Sequence, residues 1–216
     1  PGTYEPDKLT DYEVGFRGDY LDRRLHLDLS AFYIDWKKIQ LQVTNKLGLN
    51  YAGNGGTAVS KGFEATTSYV FDFGLTLGAN AAYTDAYLTE DAPGVFGKKG
   101  DPLPESALWA VALTADYVQQ IEGNTAWTLG ADYHHKSKVY NMFRSSATPL
   151  PMGAQDIVDA YTGLDFGNST LRLYVKNLFN NRSYDGLVYS GTYTNPLLVP
   201  VQPRTIGVSY DYKLEP

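Results

Sequence analysis

The strongest constraint in this sequence is a side-chain period of two that recurs about nine times along 216 residues. Its clearest copy runs from Val158 to Asn177, written V-D-A-Y-T-G-L-D-F, then G-N-S, then T-L-R-L-Y-V-K-N. Successive side chains of a strand point to opposite faces. Val158, Ala160, Thr162, Leu164 and Phe166 therefore share one face, and Asp159, Tyr161, Gly163 and Asp165 share the other. In the second arm Leu171, Leu173 and Val175 alternate with Arg172, Tyr174 and Lys176. Gly167, Asn168 and Ser169 supply the permissive backbone of a tight hairpin.

After a polar stretch over residues 1–9, strand one sets Tyr12, Val14, Phe16 and Tyr20 against Glu13, Gly15, Arg17 and Asp19. Strand two sets Leu25, Leu27, Leu29, Ala31 and Tyr33 against His26, Asp28, Ser30, Phe32 and Ile34. The pattern returns around Phe63–Tyr69, Leu75–Tyr83, Trp109–Tyr117, Trp127–Tyr133 and Ile206–Leu214. No stretch of helical period competes. Short turns at Leu21–Arg24, Asp72–Gly74, Glu122–Asn124 and Gly167–Ser169 alternate with long connections. The long ones are a Gly- and Asn-rich stretch from Asn45 to Gly56, residues 87–106, Val139 to Gln155 and Phe179 to Pro203.

This alternation places every tight turn at one end of a sheet and every long loop at the other, as in an outer-membrane barrel. The apolar face also keeps Tyr and Trp at strand ends and Leu, Val and Ala between them. Eight residues at about 3.3 Å span about 26 Å, or about 19 Å at a 45° tilt, close to a lipid-facing band between two aromatic girdles. A β-sandwich core has no reason to put aromatics at both rims. The expected fold is all-β: an antiparallel meander of about nine strands, part of a larger transmembrane β-barrel. The counts of 18 Tyr and 21 Gly suit strands and turns. The apolar runs are too short for a spanning helix, but strands cross membranes without such runs. A net charge of -6 argues against nucleic acid as a partner, and the lack of cysteine removes disulfides and thiolate metal sites.

Four segments then carry a family resemblance: Y-E-P-D-K-L-T-D-Y-E-V-G-F-R-G (Tyr4 to Gly18), S-K-G-F-E (Ser60 to Glu64), V-K-N-L-F-N-N-R-S-Y (Val175 to Tyr184) and P-R-T-I-G-V-S-Y-D-Y (Pro203 to Tyr212). In this order they resemble the C-terminal barrel of TonB-dependent outer-membrane receptors. The resemblance implies a bacterial outer-membrane location and active uptake of a scarce ligand, such as a siderophore, corrinoid or saccharide. It also implies outer-membrane lipid around the barrel, the receptor's own plug domain inside it, and energy from the inner-membrane TonB through an N-terminal region. Residues 1–216 would be the C-terminal segment, with plug and earlier strands absent. The opening Pro1-Gly2, without a start methionine or leader, fits a fragment or a processed chain. One departure is Leu214, standing where the family's final aromatic is usual. An odd strand number cannot close an antiparallel meander on itself, so strands one and nine are expected as free edges.

The ligand-binding candidates are Trp36, Tyr140, Arg144 and Tyr184 in the loops, with His134 and Asp159 on the polar face near the loop end. Aromatics stack on flat ligands, and Arg clasps carboxylates or phosphates. Phe143, Tyr189 and Tyr193 add further loop aromatics. His134 and His135 are adjacent in a strand, face opposite ways and cannot form a paired metal site there. No catalytic spacing, metal site or cofactor motif stands out, and the chain reads as a non-enzyme. The competing readings are a small barrel protease or lipase using His134 with lumen acids, and a passive porin or adhesin.

Overall fold

Alternation sets the extent of each strand in the computed structural model, which describes residues 4–44, 50–146, 149–188 and 197–214. In chain order the strands are β1 (Lys8–Tyr20), β2 (Leu25–Lys37), β3 (Gln40–Thr44), β4 (Asn50–Asn54), β5 (Ala58–Val70), β6 (Leu75–Leu88), β7 (Trp109–Glu122) and β8 (Thr125–Lys136). They continue with β9 (Val139–Tyr140), β10 (Pro151–Met152), β11 (Gln155–Asp165), β12 (Ser169–Lys176), β13 (Tyr184–Val188), β14 (Leu197–Pro200) and β15 (Thr205–Tyr212). Nine of them make one antiparallel sheet in the order β1-β2-β5-β6-β7-β8-β11-β12-β15. Each neighbour in that sheet is the next long strand in the chain, so it is a plain meander. β1 and β15 are its two free edges among the described residues, as the odd strand count requires.

Register carries the apolar face across all nine strands without a break. Val14 lies opposite Ala31, Leu29 opposite Ala65, and Ala81 opposite both Ala65 and Val111. Beyond these, Ala131 pairs with Ala115 and Ala160, and Val175 with Ala160 and Ile206. Nothing among the described residues covers this face: Val14 is 72% exposed and Ile206 71%. Aromatics cluster at both of its rims. Toward the loops, Phe63, Tyr83 and Trp109 meet with ring centroids 5.0 to 5.6 Å apart. Toward the turns, Tyr69, Phe71 and Phe73 form a second cluster, with Tyr117 beside Trp127. Polar Thr162 is satisfied on this apolar face, because its hydroxyl accepts the Trp127 indole N–H at 2.8 Å and donates to the Thr128 carbonyl.

The opposite face is laced by polar pairs, Arg17 with Asp28 at 2.5 Å and His26 with Asp19 at 2.7 Å. Tyr161 donates its hydroxyl to Asp116 at 2.5 Å while the Arg172 guanidinium lies 4.2 Å from its ring centroid. The ring crosses Gly130, where a Cβ would stand 2.2 Å from it, so the close approach requires glycine.

The long connections differ from the open loops expected of them. β4, within the Gly- and Asn-rich stretch, pairs as a hairpin with β3 just before it; β9 pairs with β10, and β13 with β14. Residues 87–106 begin with the end of β6 and include a 3-10 turn at Pro93–Val95. Ile39, Ala58, Leu88, Ala92 and Phe143 are buried together, with Trp36, Leu41, Val95 and Leu103 packed around them. Phe143, expected as an exposed loop aromatic, is instead core, 3% exposed. These apolar residues lie too far apart in sequence for a local pattern to link them. Tyr189 and Tyr193 lie outside the described residues.

Candidate ligand-facing site

The loop end of the sheet is the place where polar and aromatic side chains are held by packed structure without being covered by it. Its most concentrated group follows β8. Tyr140 sits in β9, its backbone carbonyl accepting the Glu105 N–H at 2.8 Å from the neighbouring loop. The Lys138 ammonium stands 5.0 Å from its ring centroid and the Arg144 guanidinium 5.6 Å, both within cation–π range. The ammonium of Lys138, hydrogen-bonded to the hydroxyl, holds the Tyr140 phenol below its ordinary value, and the charges of Lys138 and Arg144 add to the pull. Chemically this is a cationic aromatic surface suited to an anionic, flat group.

Of the six residues singled out by sequence, Tyr140 and Arg144 are brought together and the other four lie outside that pair. Trp36 is half-buried against the loop core, its indole N–H donating to Asp7 at 2.8 Å. Nearby, the Lys38 ammonium pairs with Glu5, holding that carboxyl below its usual range. Tyr184 is 40% exposed at the start of β13, where its carbonyl accepts from the Gln155 side chain. His134 is exposed on the polar face and has no hydrogen-bond or ion-pair partner among the described residues. The neighbouring His135 is on the apolar face, paired with Asp156 at 2.9 Å beside Tyr133, so the two imidazoles do point apart.

Asp159 is drawn into a backbone clamp. Its carboxylate accepts the N–H of Asn177 at 2.7 Å. Asn177 is 2% exposed, has a left-handed backbone (φ 50°), and donates its side-chain amide to the carbonyls of Asn181 and Gln202. Its side-chain oxygen accepts the Asn181 N–H at 2.7 Å. The V-K-N-L-F-N-N segment thus stitches the last long connection back onto β11 and β12.

Sequence reasoning missed Lys138, two residues before Tyr140 and visible only as one lysine among many. It also missed the pairing of Tyr161 with Asp116, although a tyrosine beside small glycines on a polar strand face was the available signal. Among the described residues, no three His, Asp or Glu side chains are grouped to hold a metal ion.

Residues 1–178 match the family model described as "TonB dependent receptor-like, beta-barrel". The metal-pseudopaline receptor CntO of Pseudomonas aeruginosa is 27% identical over 217 aligned residues, which cover 95% of this chain and 28% of the receptor. The chain therefore spans little more than a quarter of that relative's length. Among solved structures, the ferric yersiniabactin uptake receptor FyuA of Yersinia pestis superposes with a TM-score of 0.77 at 21% identity, over 95% of this chain and 30% of that one. The siderophore receptor PiuA of Acinetobacter baumannii gives 0.71 at 19% identity, over 97% and 29%. Those likenesses carry the fold, and the matched model carries the family: this chain belongs to the TonB-dependent receptor β-barrel family of outer-membrane proteins.

Proposed function

We propose that residues 1–216 are the C-terminal segment of the barrel of an outer-membrane receptor that actively imports a scarce small ligand. In this reading the receptor's own plug domain fills the barrel, and an N-terminal region outside these residues contacts TonB for energy. The ligand is a metal chelate of the siderophore class, ahead of the corrinoid and saccharide alternatives. The chain's similarity to a metal-pseudopaline receptor, a ferric yersiniabactin uptake receptor and a siderophore receptor supports that order. The observation that carries the proposal is the sidedness of the sheet: a bare apolar face between two aromatic rims, with three of the long connections meeting in a buried cluster at one end. Such a surface suits lipid around the strands and ligand capture at the loops.

Transport is favoured over catalysis because His134 has no carboxylate partner among the described residues, where a hydrolase would align one with it. The test is uptake of a radiolabelled ferric chelate by cells producing the complete protein. Uptake that stops on collapsing the proton gradient, and weakens in a Tyr140→Ala/Arg144→Ala double variant, agrees with the proposal. Energy-independent passage would favour a porin, and hydrolysis abolished by His134→Ala would favour an enzyme.

A further inference from the structure

The apolar face is not even. Between the Leu129 ridge of β8 and the Leu173 and Val175 ridge of β12, β11 presents only Ala160 and Thr162, and a furrow of about 500 Å³ opens along it. Register makes the furrow: Thr162 lies opposite both Leu129 and Leu173, and Ala160 opposite Ala131 and Val175. The Thr162 hydroxyl is already engaged by the Trp127 indole and the Thr128 carbonyl. Hydrocarbon can therefore cover the floor without stranding a polar group.

A cation stands at the loop end of this furrow. Leu178 folds back onto β11, its N–H donating to the Val158 carbonyl at 2.7 Å. Arg204, just before β15, lines the same end beside Leu178 and Ile206. Its backbone N–H is held by the Asn180 side chain at 3.2 Å, and its Nη1 stands 3.5 Å from the Leu178 carbonyl oxygen. One long contact leaves most of the five guanidinium N–H donors for an outside acceptor. Asp156, an acid on this face near the same rim, is engaged by Tyr133 and His135. Val158 lies opposite Tyr133, so the guanidinium is near the level where aromatics mark the edge of the hydrocarbon. From Val158 to Thr162 four residues span about 13 Å, within the depth of about 15 Å of one leaflet.

We propose that this furrow holds one acyl chain of a phosphate-bearing membrane lipid whose headgroup is clasped by Arg204. The inference rests on the lipid-facing reading of the apolar face and adds a fixed lipid where that reading needs only a fluid one. A trough without a cation would take any chain, and a cation without a trough any phosphate. The two together select the molecule that offers both.

The experiment uses the complete protein in detergent with three probes: a phosphatidylglycerol, the diacylglycerol with the same chains, and inorganic phosphate. Native mass spectrometry should show phosphatidylglycerol retained on the protein, with the diacylglycerol at least tenfold weaker and phosphate unbound. Arg204→Gln should weaken phosphatidylglycerol at least tenfold and leave the diacylglycerol unchanged. Ala160→Leu, which fills the furrow from a lipid-facing position, should weaken both lipids. Lys99→Gln, in an exposed loop, should match the parent. Equal affinity for the two lipids, phosphate binding as tightly as the lipid, or phosphatidylglycerol binding unchanged in both furrow variants overturns the inference. A second measurement needs no variant: a phosphatidylglycerol with a mid-chain diazirine should label the parent, within residues 1–216, at β11 and β12. Labelling spread evenly over the apolar face overturns the site and leaves the lipid-facing reading standing; labelling nowhere on that face overturns both.

Discussion

Leu77 and Thr76 are neighbours on β6 that face opposite sides of the sheet. Leu77, 41% exposed, lies between Tyr69 and Ala115 on the apolar face, and Thr76 pairs with Asp116 on the polar one. If lipid covers the apolar face, an arginine there is stranded in hydrocarbon, whereas on the lumen side it stays hydrated. Leu77→Arg should therefore cost about 2–4 kcal/mol near the bilayer midplane, with Thr76→Arg mild. Denaturant unfolding from vesicles measures both; equal costs would remove the sidedness. At the loop end, Tyr140 offers a spectroscopic check. Its phenol is held low first by the Lys138 hydrogen bond, then by the positive charges around it. An acid with a lowered folded value favours its ionised form, so any stabilisation appears as pH rises through that folded value and is complete above the ordinary value. Ultraviolet titration should find one tyrosine ionising below the usual range of about 10, and Lys138→Met should move it back up.

Elements were legible in the sequence to unequal degrees, for physical reasons. The nine long strands and their four tight turns could be read because a half-buried sheet face imposes a period of two. Hairpins such as β3 with β4 could not: the alternation of Leu41 and Val43 in β3 lasts only five residues, and β4, with Gly53 between Ala52 and Asn54, does not repeat it. The core they cover joins Ile39, Leu88 and Phe143 from three separate connections. Site residues divide in the same way. Tyr140 and Arg144 were readable as exposed chemistry, but the clamp that occupies Asp159 depends on Asn177 turning left-handed, which only the folded chain reveals. That clamp makes its own prediction. Asn177→Ala removes three side-chain hydrogen bonds at a buried, left-handed position. It should destabilise the barrel by about 2–4 kcal/mol. Hydrogen exchange should quicken first in residues 178–188, and uniform loss across β1 to β15 would argue against a local clamp.

At the scale of the whole molecule, one apolar face, two aromatic rims, one packed loop end and two free edges all belong to a single design. The edges matter because β1 and β15 each leave a row of backbone groups unpaired within this chain. In the proposed reading, further strands of the receptor's barrel pair with both. On this sheet the apolar face meets lipid while the polar face meets water. Residues 1–216 contain no cysteine, so with any cysteine outside them replaced a direct test is possible. Single cysteines placed in the complete protein at Val14, Gly15, Thr76, Leu77, Val208 and Ser209 can be probed in native membranes with a water-soluble maleimide and a lipid-phase quencher. The predicted result is strict alternation: Val14, Leu77 and Val208 quenched from lipid and slow to label, Gly15, Thr76 and Ser209 labelled from water. Labelling from water at both members of each pair would contradict the account.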